Sequence, residues 1–192
     1  MKRFVIDVVG LCLLVTLVIS AYVYTVRSAL IASHLSALLE MPVEVGEVRL
    51  GWDRVVIEDL RIPNKRKNLL DYTFQAPTVE LGIHPWDLLR TRPVIEDVEI
   101  ANPVFGIDMY ESGGSDNNWQ EIINTLLSDD TGVYWQYRVK RVVLHDIEIH
   151  ACNSYLCQRL IKPEPIDALT VHDEVGMPGR RAIAQVARAI ME

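Results

Sequence analysis

A seven-residue alternating stretch occurs three times in this chain, and it limits the possible folds more than any other feature. It reads Val56-Ile57-Glu58-Asp59-Leu60-Arg61-Ile62, then Val94-Ile95-Glu96-Asp97-Val98-Glu99-Ile100, then Val143-Leu144-His145-Asp146-Ile147-Glu148-Ile149. Apolar and polar side chains alternate with a period of two, the signature of a strand with one dry face and one wet face. On this reading Val56, Leu60 and Ile62 share a face around Glu58, as do Val94, Val98 and Ile100 around Glu96, and Val143, Ile147 and Ile149 around His145. The opposite face carries Asp59, Asp97 and Asp146. Repetition of this kind implies similar units sharing one continuous apolar surface. The plainer alternative is an ordinary antiparallel sheet whose strands happen to look alike.

The amino-terminal end has a different pattern. Lys2 and Arg3 precede an apolar run from Phe4 to Val26 that only Asp7 interrupts, and Arg27 closes it. At about 1.5 Å per residue, Val8 to Val26 is long enough to cross a bilayer. The run is long for the core of a cleaved signal peptide and no small-residue cleavage site follows, so an uncleaved anchor is the preferred reading. The basic residues ahead of it place the amino terminus in the cytoplasm. The expected division is therefore residues 1–27 as cytoplasmic tip and transmembrane signal anchor, with residues 28–192 forming an exported, periplasmic domain.

Within that domain, residues 28–40 read as a helix that Pro42 ends, followed by a strand over 43–50 with a bulge at Gly46. Gly51-Trp52-Asp53 turns the chain into the first repeat. A strand over 76–83, a helical turn over 85–89 and the second repeat follow, then Asn102-Pro103 and a strand over 104–110. The spacing predicts short amphipathic helices over 119–127 and 180–191, and strands over 134–151 and 166–172, with a break at Gly176 to Gly179. The formal net charge is -7, with 26 acidic and 19 basic side chains, and no basic stripe is present. That balance argues against nucleic acid as a partner.

The order of these features resembles the AsmA-like family of bacterial envelope proteins. The residues that carry the likeness are the strand pair in Met41-Pro42-Val43-Glu44-Val45-Gly46, the Ile57-Glu58-Asp59-Leu60 strand and Ala76-Pro77-Thr78-Val79-Glu80-Leu81. The leucine-rich turn before the second repeat, the Pro103 strand and Asn118-Trp119 complete it. The resemblance covers roughly residues 1 to 127. It implies a curved, elongated sheet whose apolar groove holds lipid, as in the related TamB and chorein-type proteins. Eight or nine strands about 4.8 Å apart would make a groove of about 40 Å, too short to join two membranes.

Chemistry-bearing residues are few. Cys152 and Cys157 follow a strand closely enough to bridge a hairpin in an oxidising compartment, with free buried thiols as the alternative. A metal site from His145, His150, Cys152 and Cys157 would need side chains that point to opposite faces. Glu58, Glu96 and His145 take equivalent places in the repeats, but solvated or paired side chains explain them without catalysis. No nucleophile motif, phosphate loop or metalloprotease helix is present.

The expected fold is α+β and mainly antiparallel: a transmembrane helix, then a curved repeating sheet groove with flanking amphipathic helices. The expected role is non-enzymatic and needs no cofactor or metal. The protein would be a single-pass inner-membrane protein guiding phospholipid acyl chains along Val98, Ile100, Phe105, Ile107 and Met109. The alternative is an accessory or scaffold subunit of an envelope complex, recruited through a sheet edge or the membrane helix.

Overall fold

A computed structural model describes residues 24–37, 39–64, 70–89, 92–110, 117–127, 137–152, 157–161 and 171–191. The strands are β1 (Glu47–Leu50), β2 (Arg54–Pro63), β3 (Tyr72–Gly82), β4 (Val94–Ala101), β5 (Val104–Asp108), β6 (Arg138–His145), β7 (Glu148–Cys152), β8 (Cys157–Ile161) and β9 (Val171–Pro178). The helices are α1 (residues 24–37), α2 (Asn118–Leu127) and α3 (Gly179–Met191), with a 3-10 turn at Pro85–Leu89.

The nine strands among the described residues form one sheet. β1 pairs with β2 and β2 with β3, both antiparallel. Along the other side of β3, β4 and β5 lie end to end. Beyond them lie β6 and β7, which run parallel to β4 and β5. β9 and β8 complete the outer edge. The sheet is thus mixed at its centre. Parallel neighbours need a crossover of a dozen or more residues, and the segment carrying α2 supplies it. Short-range alternation carries no record of such a crossover, so the expectation of a repeating antiparallel array is corrected here.

The expected membrane helix is corrected too. Among the described residues no helix is long and apolar enough to cross a membrane. Most of the apolar run, residues 1–23, lies outside the described residues. Helix α1 runs through the expected boundary at Arg27 and docks on the sheet, with Ile31 and Leu35 against the core and Arg27 ion-paired to Glu47 at 3.6 Å. Glu40 takes a left-handed conformation (φ 53°) beyond the helix, and the Val43 N–H donates to Ser36 Oγ at 2.8 Å to fix the exit.

The repeats behave differently from their alternation. Glu58, Thr78, Ala101 and His145 lie in one row across four strands. The residues just past three of them, Asp59, Asn102 and Asp146, all have left-handed backbone (φ 52°, 51° and 53°). Asn and Asp tolerate that region better than other side chains. Each break shifts the in-out alternation by one residue. Val55 and Ile57 are buried before Asp59 and Ile62 after it. Val142 and Leu144 are buried before Asp146, and Ile147 and Ile149 after it. Val56 therefore does not share the core face with Leu60 and Ile62, and Val94 is exposed while Ile95 is buried. The second copy is also out of step, because Asn102 rather than Asp97 occupies the kink. The strand expected over 134–151 is two strands for the same reason. Gly176 lies within β9 rather than breaking it, and residues 166–170 of the expected strand over 166–172 lie outside the described residues.

One apolar cluster unites the elements. The sheet contributes Val48, Val55, Ile57, Val79, Phe74, Phe105 and Leu144, α2 contributes Trp119, Ile122 and Leu126, and α3 contributes Ala182, Val186 and Ile190. The opposite face is a lattice of ion pairs centred on Arg54 and Glu99.

Candidate functional site

Four of the expected groove residues, Val98, Ile100, Phe105 and Ile107, belong to the dry-face core that α2 and α3 join. Phe105 is 2 % exposed and meets Phe74 and Trp119 with ring centroids 5.0 and 5.3 Å away. Val98, Ile100 and Ile107 are half-buried and pack against the same core. Met109 is half-buried, bridges to Asn117 and donates its N–H to the Cys152 carbonyl at 2.9 Å.

Helix α2 is fastened over this face by polar groups. Asn117 Oδ1 accepts from the Gln120 N–H at 3.0 Å, an N-cap that satisfies one of the free donors of the first turn. The Asn118 side chain accepts from the Asp108 N–H at 3.0 Å and donates to Thr73 Oγ1 at 3.1 Å and the Gly106 carbonyl at 2.8 Å. Trp119 Nε1 donates to that same carbonyl at 3.0 Å. A Cβ on Gly106 would lie 2.2 Å from the Tyr72 carbonyl oxygen, so only glycine allows this close approach.

The other candidates are scattered. Cys152 is buried and disulfide-bonded, and the β7–β8 register places Cys157 opposite it. The Cys157 side chain itself lies outside the described residues. His150 Nε2 contacts Glu148 Oε1 at 2.6 Å, and His145 is exposed at the kink. Among the described residues no three His, Cys, Asp or Glu side chains gather as a metal site would require. Glu58 is bound by Arg49, whose hydrogen bond holds its carboxyl below the usual carboxylate range. Glu96 takes Lys140 Nζ at 2.7 Å. Glu58 and His145 are three strand spacings apart, about 14 Å, too far to share a proton.

A cleft that the residue patterns did not flag opens where β2 begins, β3 ends and β4 begins. It holds about 310 Å³, with Asp53, Arg54, His84, Asp87, Glu96 and Asp97 among its walls. Arg54 Nη1 lies 3.0 Å from Glu80, 3.7 Å from Asp97 and 3.8 Å from Glu99, and the charge of Asp97 chiefly raises its pKa above the ordinary value. Gly82 makes room for Asp97, since a Cβ there would sit 2.4 Å from Asp97 Oδ1. At the rim, Trp52 is 82 % and Trp86 70 % exposed. Trp52 meets His84 edge-on at 5.3 Å, and the Trp86 N–H donates to His84 Nδ1 at 3.4 Å. The available signal was the Trp-Asp dipeptide, which falls at 52–53 and again at 86–87, each time in a turn.

Comparison with known protein families finds no family model that matches this chain, and comparison with curated proteins finds no match either.

Proposed function

We propose that this chain is a non-catalytic accessory or scaffold subunit of a larger envelope assembly, which meets its partners through its outer surface. The observation that carries the reading is Phe105, 2 % exposed beneath Trp119. The dry face of the sheet, where a lipid would lie, is occupied by the chain's own α2 and α3. Binding energy must then come from outside the core, and the exposed aromatic side chains Trp52 and Trp86 are its natural source. The disulfide at Cys152 supports an oxidising compartment, the periplasm in a bacterium. The order of features that resembles AsmA-like envelope proteins supports the same compartment, while the groove that the resemblance implies belongs to the lipid-guiding reading.

The lipid-guiding reading rests on the apolar character of Ile107 and its neighbours, and it requires α2 to lift away. One experiment separates the two. The full chain is purified from the periplasmic side of its host envelope and examined by native mass spectrometry with lipid extraction. A lipid-free chain that crosslinks to one protein partner supports the scaffold reading. Stoichiometric phospholipid, lost on Ile107→Asp without unfolding, sinks it.

A further inference from the structure

We infer that the cleft beside Trp52 and Trp86 is a docking site for a basic segment of a partner protein, taking one Arg or Lys side chain against the carboxylates next to these aromatic side chains. This rests on the scaffold reading and names the chemistry of its partner.

Three independent features meet at this place. The first is apolar exposure: four of the seven exposed large apolar side chains among the described residues, Trp52, Trp86, Leu50 and Val94, lie at one end of the sheet, the others being Tyr24, Leu30 and Leu127. Tryptophan dominates the energetics of protein interfaces because it buries a large rigid surface. The second is size. A cavity of about 310 Å³ lies at the bottom of the range for small-molecule sites, with room for one long side chain. The third is charge. Asp53, Asp87, Glu96 and Asp97 line the cleft, and Glu80 and Glu99 lie just behind Arg54.

Three cations nearby are already engaged by these carboxylates. Arg54 is held by Glu80, Asp97 and Glu99, Arg141 by Glu99 at 3.6 Å, and Lys140 by Glu96. Carboxylates still outnumber cations around the cleft, in a chain of formal net charge -7. Asp97 Oδ2 is buried with no hydrogen-bond partner and meets Arg54 only as an ion pair at 3.7 Å, so it can still accept a hydrogen bond. A guanidinium or ammonium group entering here would satisfy acceptors while lying near the face of an indole, and cation–π attraction acts within about 6 Å of a ring centroid. The same carboxylates would repel an anionic membrane surface, which sets the exposed tryptophans apart from a lipid anchor.

The test uses the full chain and a fluorescein-labelled peptide, Gly-Arg-Gly-Arg-Gly, read by anisotropy, with its Arg-to-Glu counterpart as control. Saturable binding of the arginine peptide alone is expected, weakened about tenfold by Trp52→Ala and several-fold by Asp53→Asn. Raising salt from about 0.05 M to 0.5 M should weaken it further, because these groups lie at the surface. Both replaced side chains are exposed, and circular dichroism verifies that the variants fold. Equal binding of the glutamate peptide, or affinity unchanged in both variants, overturns the inference. So does tighter binding to anionic phospholipid vesicles than to the peptide. A photocrosslinker at position 52 separates the two levels of argument. Crosslinks to one protein from the β9 edge but none from position 52 would overturn the cleft assignment and leave the scaffold reading intact. Co-purifying phospholipid would instead remove the scaffold reading.

Discussion

Replacing Asn118 by alanine should loosen α2 from the sheet, and the structure gives the size of the effect. The side chain makes three buried hydrogen bonds, to the Asp108 N–H, Thr73 Oγ1 and the Gly106 carbonyl. The Gly106 carbonyl keeps Trp119 Nε1 after truncation, so it remains satisfied. The Asp108 N–H loses its acceptor in a buried position, which costs about 1–3 kcal/mol. The bonds to Thr73 and Gly106 add about 1 kcal/mol each, for a total of about 3–5 kcal/mol. A domain of this size has about 5–15 kcal/mol in hand, so the variant should fold but melt early. With a urea slope of about 2 kcal/mol/M the midpoint should fall by about 2 M. Thr73→Val removes one bond and should cost only about 1 kcal/mol. The assay is urea denaturation followed by circular dichroism, with binding of an apolar dye as a second readout. Dye binding should rise in Asn118→Ala alone, because Phe105 and Ile107 lose their cover. A loss below about 1 kcal/mol, or one equal to that of Thr73→Val, would refute the view that Asn118 holds the helix down.

Three further outcomes are expected. Peptide mapping without reductant should find Cys152 linked to Cys157, the residue opposite in register, and reduction should cost about 2 kcal/mol, the value for a short closed loop. Gly179→Ala should destabilise by about 1–3 kcal/mol, since its Cβ would lie 1.8 Å from Tyr137 Cε2, and Tyr137→Leu in the same chain should restore most of the loss in a thermal melt. Burial lowers the pKa of His34 below its ordinary 6.5, so the unfolded chain takes up the proton first. Stability should therefore be full above about pH 6.5 and fall as the pH drops towards the folded value, a slope that His34→Gln flattens in urea titrations.

Much of the local structure was legible. Ile122, Ile123 and Leu126 announce α2 by their 3.6-residue spacing, although Leu127 of the same pattern is exposed, and Val186, Ala187 and Ile190 do the same for α3. Strand alternation found the regions of β2, β3, β4 and β5. The faces were less secure. Asp59 and Asp146 look like ordinary wet-face positions, yet each adopts a left-handed conformation that reverses the alternation after it. The cleft was hidden for a related reason. Asp53, His84 and Glu96 lie far apart along the chain, and only the pairing of β2, β3 and β4 brings them together.

The sequence by itself determined where strands and amphipathic helices form, because side-chain periodicity and turn chemistry act over a few residues. It also determined that one face of the sheet must be dry. The tertiary structure alone decided what covers that face and where the strands kink in step. Those outcomes depend on contacts between distant segments: Asn118 reaching Thr73 and Gly106, and Asn102 falling beside Asp146. No short window of residues records such contacts, since their free energy exists only once the chain has closed on itself.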